Sequence, residues 1–160
     1  MIKNISNLGD AAIYCDFGSD VNKEINQEVI KYFKTLASKN IKGITNLAPS
    51  YNKLIITFDL DVTTYKELRE IIFNVKLDEI KETVSKKKII PICIDEEFAL
   101  DINRLEKKLR LKQDEIFNNF FSKEYFCYMT GFIAGMPFVG DLDHKMRVKR
   151  LETPRVKVPK

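Results

Sequence analysis

An α+β fold is predicted from three observations. Through residue 94, short apolar stretches of period two alternate with longer stretches whose apolar residues recur at helical spacing. A Thr-x-x-Glu capping box marks the start of one of those helices. Beyond Ile94 the texture changes to short helical pieces that lead into a glycine-rich, aromatic run. The chain has 160 residues, 44% hydrophobic and 31% charged. That is the composition of a folded chain, and a chain of this length buries about two thirds of its unfolded surface.

Ala11–Gly18 reads as a strand, with Ile13, Cys15 and Phe17 on one face. Val21, Ile25, Val29, Phe33 and Leu36 then form the apolar stripe of a helix that stops before Gly43. Ile44–Leu47 and Leu54–Phe58 are two strands joined through Ala48-Pro49-Ser50-Tyr51-Asn52, a turn-rich link suited to a hairpin. Thr64 and Glu67 form the capping box of a second helix, whose stripe is Leu68, Ile71, Ile72 and Val75. Leu77, Ile80 and Val84 extend it, and Lys88–Ile94 is an apolar strand. The order strand, helix, strand, strand, helix, strand is that of a ferredoxin-like α/β sandwich.

After this, Asp101 is placed to cap a helix carrying Ile102, Leu105 and Leu109. A further helix starts near Asp114 with Ile116, Phe117, Phe120 and Phe121, its acidic residues suited to the first turn. Tyr125–Thr130 reads as a strand and Thr153–Pro159 as an extended ending. Between them lies the run Gly131–Gly140, in which three glycines and Pro137 interrupt apolar and aromatic residues. Glycine permits positive φ and close approach, and proline fixes φ. Such a loop is either a core turn, the commoner case, or the wall of a binding site.

Cys15, Cys93 and Cys127 are odd in number and far apart, fitting neither a disulfide framework nor a metal site. Reduced thiols in the cytoplasm are the simplest reading, with Cys127 buried in its strand. No stretch approaches the ~20 apolar residues of a membrane span. Charge is uneven: the net +4 resolves into +6 for His144–Lys160 and −2 for the rest. That strip can attract phosphates or an acidic partner. No aromatic interrupts it, which disfavours nucleic acid. His144, the single histidine, is read as an exposed loop residue. Arg150 and Arg155 can each bind a carboxylate or phosphate bidentately, with Asp143 to orient one of them, or be ordinary surface arginines. There is no Walker A motif and no G-x-G-x-x-G.

Leu8-Gly9-Asp10-Ala11-Ala12, Asp16-Phe17-Gly18, Ile25-Asn26 with Val29, Gly43-Ile44, and Pro49-Ser50-Tyr51 followed by Leu54 and Asp59 resemble the 5-oxoprolinase B-subunit family, also called allophanate hydrolase subunit 1. The resemblance continues through Ile90-Pro91-Ile92-Cys93, Glu97-Phe98, Asp101, Tyr125, Tyr128, Gly131-Phe132, Gly135, Pro137, Gly140, Leu142-Asp143, Arg150 and Thr153-Pro154-Arg155 with Val158-Pro159. The family includes a sporulation histidine-kinase inhibitor. The resemblance implies a ferredoxin-like α/β domain over residues 1–86, then the first half of a cyclophilin-like β-barrel over 87–160. It implies a homologous partner subunit, ATP used by the complex, and the opening of 5-oxo-L-proline, a small-molecule substrate, to glutamate. Site candidates on this basis are Gly131, Phe132, Gly135, Pro137, Gly140, Asp143, Arg150 and Arg155, with catalytic residues unassigned and no metal.

Alternatives are a regulatory module that inhibits a sensor histidine kinase, a subunit related to allophanate hydrolase or urea carboxylase, and an inactive truncated relative. The chain departs from the family at Asp95 and Glu96, where a glycine pair is usual, and at Phe120, Ala134, Met136 and Leu151 in place of His, Pro, Phe and Arg. The family's glycine-rich strands beyond Val-Pro are not in this sequence, so the second half of the barrel is expected from another polypeptide, from self-association, or not at all in a fragment.

Overall fold

The computed structural model describes residues 1–77 and 86–158. It divides into two compact units: Met1–Thr83 with Cys127–Val139, and Val84–Phe126 with Gly140–Lys160. The described elements are mixed, four α-helices and two small sheets.

The first unit holds an antiparallel sheet of four strands, β1 (Asn4–Asn7), β2 (Ala12–Asp16), β3 (Ile44–Pro49) and β4 (Lys53–Phe58), in the order β1-β2-β4-β3. Alternation decides which face is buried. Ile13 stands opposite Ile56 and Cys15 opposite Leu54, and all four are fully buried. Against them pack Val29, Tyr32 and Leu36 of α1 (Lys23–Lys39) and Leu68 and Ile72 of α2 (Tyr65–Asn74). Each such aliphatic side chain contributes about 1.5–3 kcal/mol by leaving water.

Helix α1 begins two residues later than its apolar stripe predicts. Asn22 caps it, its Oδ1 accepting from the Ile25 N–H at 2.8 Å, which leaves Val21 outside the helix and exposed. The capping box at Thr64 and Glu67 forms as expected. Ile71 of α2, placed in the stripe by spacing, is exposed, and Ile72 is the buried member of the pair. Gly43, before β3, has φ +92°, and a Cβ there would lie 2.4 Å from Thr63 Cγ2, so only glycine fits.

Two strand assignments change. β1 was not anticipated, because Asn4, Ser6 and Asn7 are poor strand formers. It forms because a short turn, with Gly9 at φ +63°, returns it onto β2 in the register Asn4 to Asp16 and Asn7 to Ile13. Conversely, Lys88–Ile94 is not a strand: it is irregular and exposed, Ile89 at 87%. β1 already occupies the β2 edge that a final strand of the expected sandwich would pair with, and a hairpin closes at far lower entropic cost than a distant strand. Pro91 also lacks an N–H for a ladder. The expected helical extension through Ile80 and Val84 lies outside the described residues.

The second unit is built on α3 (Ile102–Leu109) and α4 (Gln113–Phe121). Its buried centre is small: Ile102, Ile116 and Met146, with Leu105, Leu109 and Phe117 partly buried around them. Phe121, at the end of α4, is exposed. Thr153–Val158 forms no strand, and Val156 and Val158 are exposed. Among the described residues no helix is long and apolar enough to cross a membrane.

Candidate functional site

The glycine run is a β-hairpin with an exposed tip, so the core-turn reading is corrected. Strand β5 (Phe126–Thr130) pairs with β6 (Pro137–Gly140), and Pro137 takes the first strand position, where its missing N–H costs no ladder bond. The Gly131 N–H donates to Met136 O at 3.0 Å and the Met136 N–H to Ile133 O at 3.2 Å. Gly135, third in that four-residue turn, has φ +80°, the value a type II turn requires there. Phe132 also lies in the left-handed region, at φ +66°, and is 91% exposed. A bulky residue in that region carries strain of about 1–2 kcal/mol. Ile133 and Met136 beside it are exposed as well.

The hairpin is anchored by a residue that sequence reasoning did not single out for a role. Asn26 of α1 is 2% exposed, and its amide Nδ2 donates to Ser50 O (3.0 Å), Tyr51 O (2.9 Å) and Tyr128 O (3.1 Å). One buried amide thus ties α1, the β3–β4 turn and β5 together. Tyr51 lies 5.8 Å from the Tyr128 ring and perpendicular to Phe138 at 6.2 Å, and the Ser50 hydroxyl donates to Met129 Sδ at 3.2 Å. Period two carries Tyr128 inward and turns Cys127 outward, so Cys127 is exposed rather than buried. The signal available for Asn26 was a polar residue on the buried face of an amphipathic helix, where an unpaired amide would be costly.

The remaining candidates fall in the second unit. Asp143 does not orient an arginine. Its Oδ1 accepts from the Lys145 N–H at 2.9 Å, shaping a 3-10 turn at His144–Met146, and lies 3.3 Å from His144 Nδ1. That hydrogen bond holds the Asp143 carboxyl below the usual carboxylate range. His144 is exposed, as expected. Arg150 is exposed, and Gly140 ends β6. Asp143 and Lys145 border a cavity of about 510 Å³ with Leu109, Leu111, Asn119 and Met146.

Arg155 is engaged by Asp101, the residue read from sequence as a helix cap. Its guanidinium forks onto the carboxylate, Nη1 to Oδ2 at 2.9 Å and Nη2 to Oδ1 at 2.8 Å. Arg104 Nη1 stands 3.8 Å from the same Oδ1 and its Nη2 donates to Lys149 O. Asp101 makes no capping bond to α3. Among the described residues no group of His, Cys, Asp and Glu is arranged to hold a metal ion.

The family model for the carboxyltransferase domain, subdomain C and D, matches residues 3–160. The B-subunit of 5-oxoprolinase from Bacillus subtilis is 29% identical over 97% of this chain and 70% of its own length. Its namesake from Haemophilus influenzae is 22% identical over 98% of this chain and 72% of its own. The solved structure of TTHA0988 superposes with a TM-score of 0.74 at 21% identity, over 92% of this chain but 29% of that one. The K. lactis urea amidolyase does so at 0.55 and 13%, over 79% of this chain and 9% of the other. At these identities the structural likenesses speak to the fold alone.

Proposed function

This chain belongs to the carboxyltransferase family, subdomain C and D, and we propose on that premise that it is a subunit of an ATP-dependent amide-ring hydrolase opening 5-oxo-L-proline to L-glutamate. The observation that carries the proposal is that two proteins named as the B-subunit of 5-oxoprolinase align along 97% and 98% of it. A homologous subunit completes the complex in this reading, which places it in the cytoplasm. In this reading residues 1–86 correspond to the ferredoxin-like domain and 87–160 to the cyclophilin-like part, with the segment Cys127–Val139 of the latter belonging to the first compact unit. The tip Gly131, Phe132, Gly135 and Pro137, with Gly140, Asp143, Arg150 and Arg155, provides contacts to the partner and substrate.

Among the described residues the glycine run forms no nucleotide cradle. It turns between two strands instead of opening a helix whose N-terminal amides would face phosphate. In this proposal, which rests on the family resemblance, ATP is bound by the assembled complex. What this chain supplies is recognition: guanidinium groups for a carboxylate, and an apolar tip.

The test is co-expression with a homologous partner subunit, following glutamate formation from 5-oxo-L-proline and ATP. ATP-dependent turnover that Arg155→Ala abolishes while the complex stays assembled supports the reading; an assembled complex without turnover overturns it. The strained, exposed Phe132 favours a second reading, a binding module that docks on a sensor histidine kinase. Tight kinase binding lost in Phe132→Gly, with no hydrolase activity, would decide for that one.

A further inference from the structure

Two guanidinium groups, Arg155 at 2.8 and 2.9 Å and Arg104 at 3.8 Å, face one carboxylate, that of Asp101. Two cations around one anion leave a net positive charge. About a third of each side chain is open to solvent: 30% for Arg104, 38% for Asp101 and 32% for Arg155. The carboxylate is held in its ionised form by the hydrogen bonds from Arg155. It is also in a position where it leaves another task undone. Asp101 precedes the first turn of α3, a turn with no acidic residue, yet its side chain caps nothing and its backbone sits at φ −99°, ψ −4° instead of the extended values a capping residue takes.

We propose that Arg104 and Arg155 form a receptor for the carboxylate of a small-molecule ligand, and that Asp101 is a built-in stand-in that yields to it. The carboxylate class follows from the fork: planar guanidinium matches a planar two-oxygen anion through paired N–H donors, as Asp101 itself demonstrates. Displaced, Asp101 has a second destination. With ψ swung to extended values its oxygens reach the amides of the first turn of α3, offsetting the pair that was broken. The exchange is reversible because the resident ion pair is partly exposed and therefore weak. The receptor is separate from the cavity beside Asp143, which adjoins Leu109 at the opposite end of α3.

The identity of the ligand rests on the amide-ring hydrolase reading, so the test measures binding and not turnover. The probes are 5-oxo-L-proline and its neutral carboxamide, titrated into the full chain while the Arg104 and Arg155 Nε–H resonances and the backbone amides of α3 are followed by NMR. The acid should shift both guanidinium signals, and the carboxamide should not. Asp101→Asn, which keeps shape and removes the competing charge, should tighten binding of the acid roughly two- to fivefold, the range an exposed ion pair supplies. Arg155→Lys, which keeps charge but loses the fork, should abolish that gain. Equal affinity in wild type and Asp101→Asn, equal binding of the carboxamide, or no shift at Arg155 each overturns the receptor. Binding as described, with no turnover in the assembled complex, would instead retain the receptor and reject the hydrolase.

Discussion

Strand β4 and the segment Ile89–Ile94 are nearly alike in composition and opposite in fate. Leu54, Ile56 and Phe58 are buried, between β2 and β3 in a register that faces them to two helices. Ile89, Ile90, Ile92 and Ile94 are exposed and irregular. Apolar, β-branched residues are therefore insufficient to make a strand; what β4 has is a neighbour on each side and a face to cover. The same contrast separates the two units. The first has a continuous core, whereas the second, among the described residues, rests on three buried side chains.

The largest expected break in this comparison comes from shortening matched isoleucines. Ile56→Ala should lower unfolding stability by about 2–5 kcal/mol, and Ile92→Ala should stay within about 0.5 kcal/mol of wild type, both read from denaturant titration. A large loss from Ile92→Ala would show that the segment is packed after all. Next in size is Asn26→Leu, which removes the amide that serves three carbonyls. A loss of about 1–3 kcal/mol is expected, with faster hydrogen exchange in β5 as the signature that the anchor holds the hairpin.

The cysteines give a third comparison. Burial pushes the Cys15 thiol up to about 12 from an ordinary 9.0, while Cys93 is exposed. The folded chain keeps the Cys15 proton where the unfolded chain has shed it. This group's contribution is thus fully present below pH 9.0 and lost between there and about pH 12. The loss should approach 1.4 kcal/mol per pH unit within that window, should shrink in Cys15→Ala, and should be accompanied by thiol-reagent labelling of Cys93 but not Cys15 in the native state. The smallest effect compares the two helix starts. Thr64→Ala removes a formed cap and should cost ~1 kcal/mol; Asp101→Ala removes an exposed ion pair and no cap, and should cost about 0.5 kcal/mol or less. Equal losses would mean that Asp101 caps α3 in solution.

Much of the first unit was legible in the sequence because its elements are specified locally. Alternation at Ile13, Cys15 and Phe17, the spacing of Val29 and Leu36, and the Thr64–Glu67 box each fix an element without reference to anything distant. β1 escaped because its pairing is set by the turn at Gly9 and not by its own residues. The segment at Ile89–Ile94 misled because its apolar content is high and the occupant of the β2 edge is visible only in three dimensions. For the site the division is sharper. The glycine and proline positions announced a shaped turn, which is local, but not that it would stand in solvent. The partner of Arg155 lies 54 residues away in sequence, and no spacing rule connects them. Asp101 was noticed for the role its neighbours suggest and is used for another.

The first strand has a consequence for how the molecule tolerates damage. β1 shields the outer backbone of β2 and is held to it by the turn at Gly9, by its ladder, by Ile5 packed on the core and by the Tyr65 hydroxyl, which donates to Ile5 O at 3.2 Å. Cleavage at that turn would leave β1 held by those non-covalent contacts alone, and its release would expose one margin of the sheet to pairing with another strand, including the same piece from a second molecule. A cut there would therefore open the sheet to strand exchange.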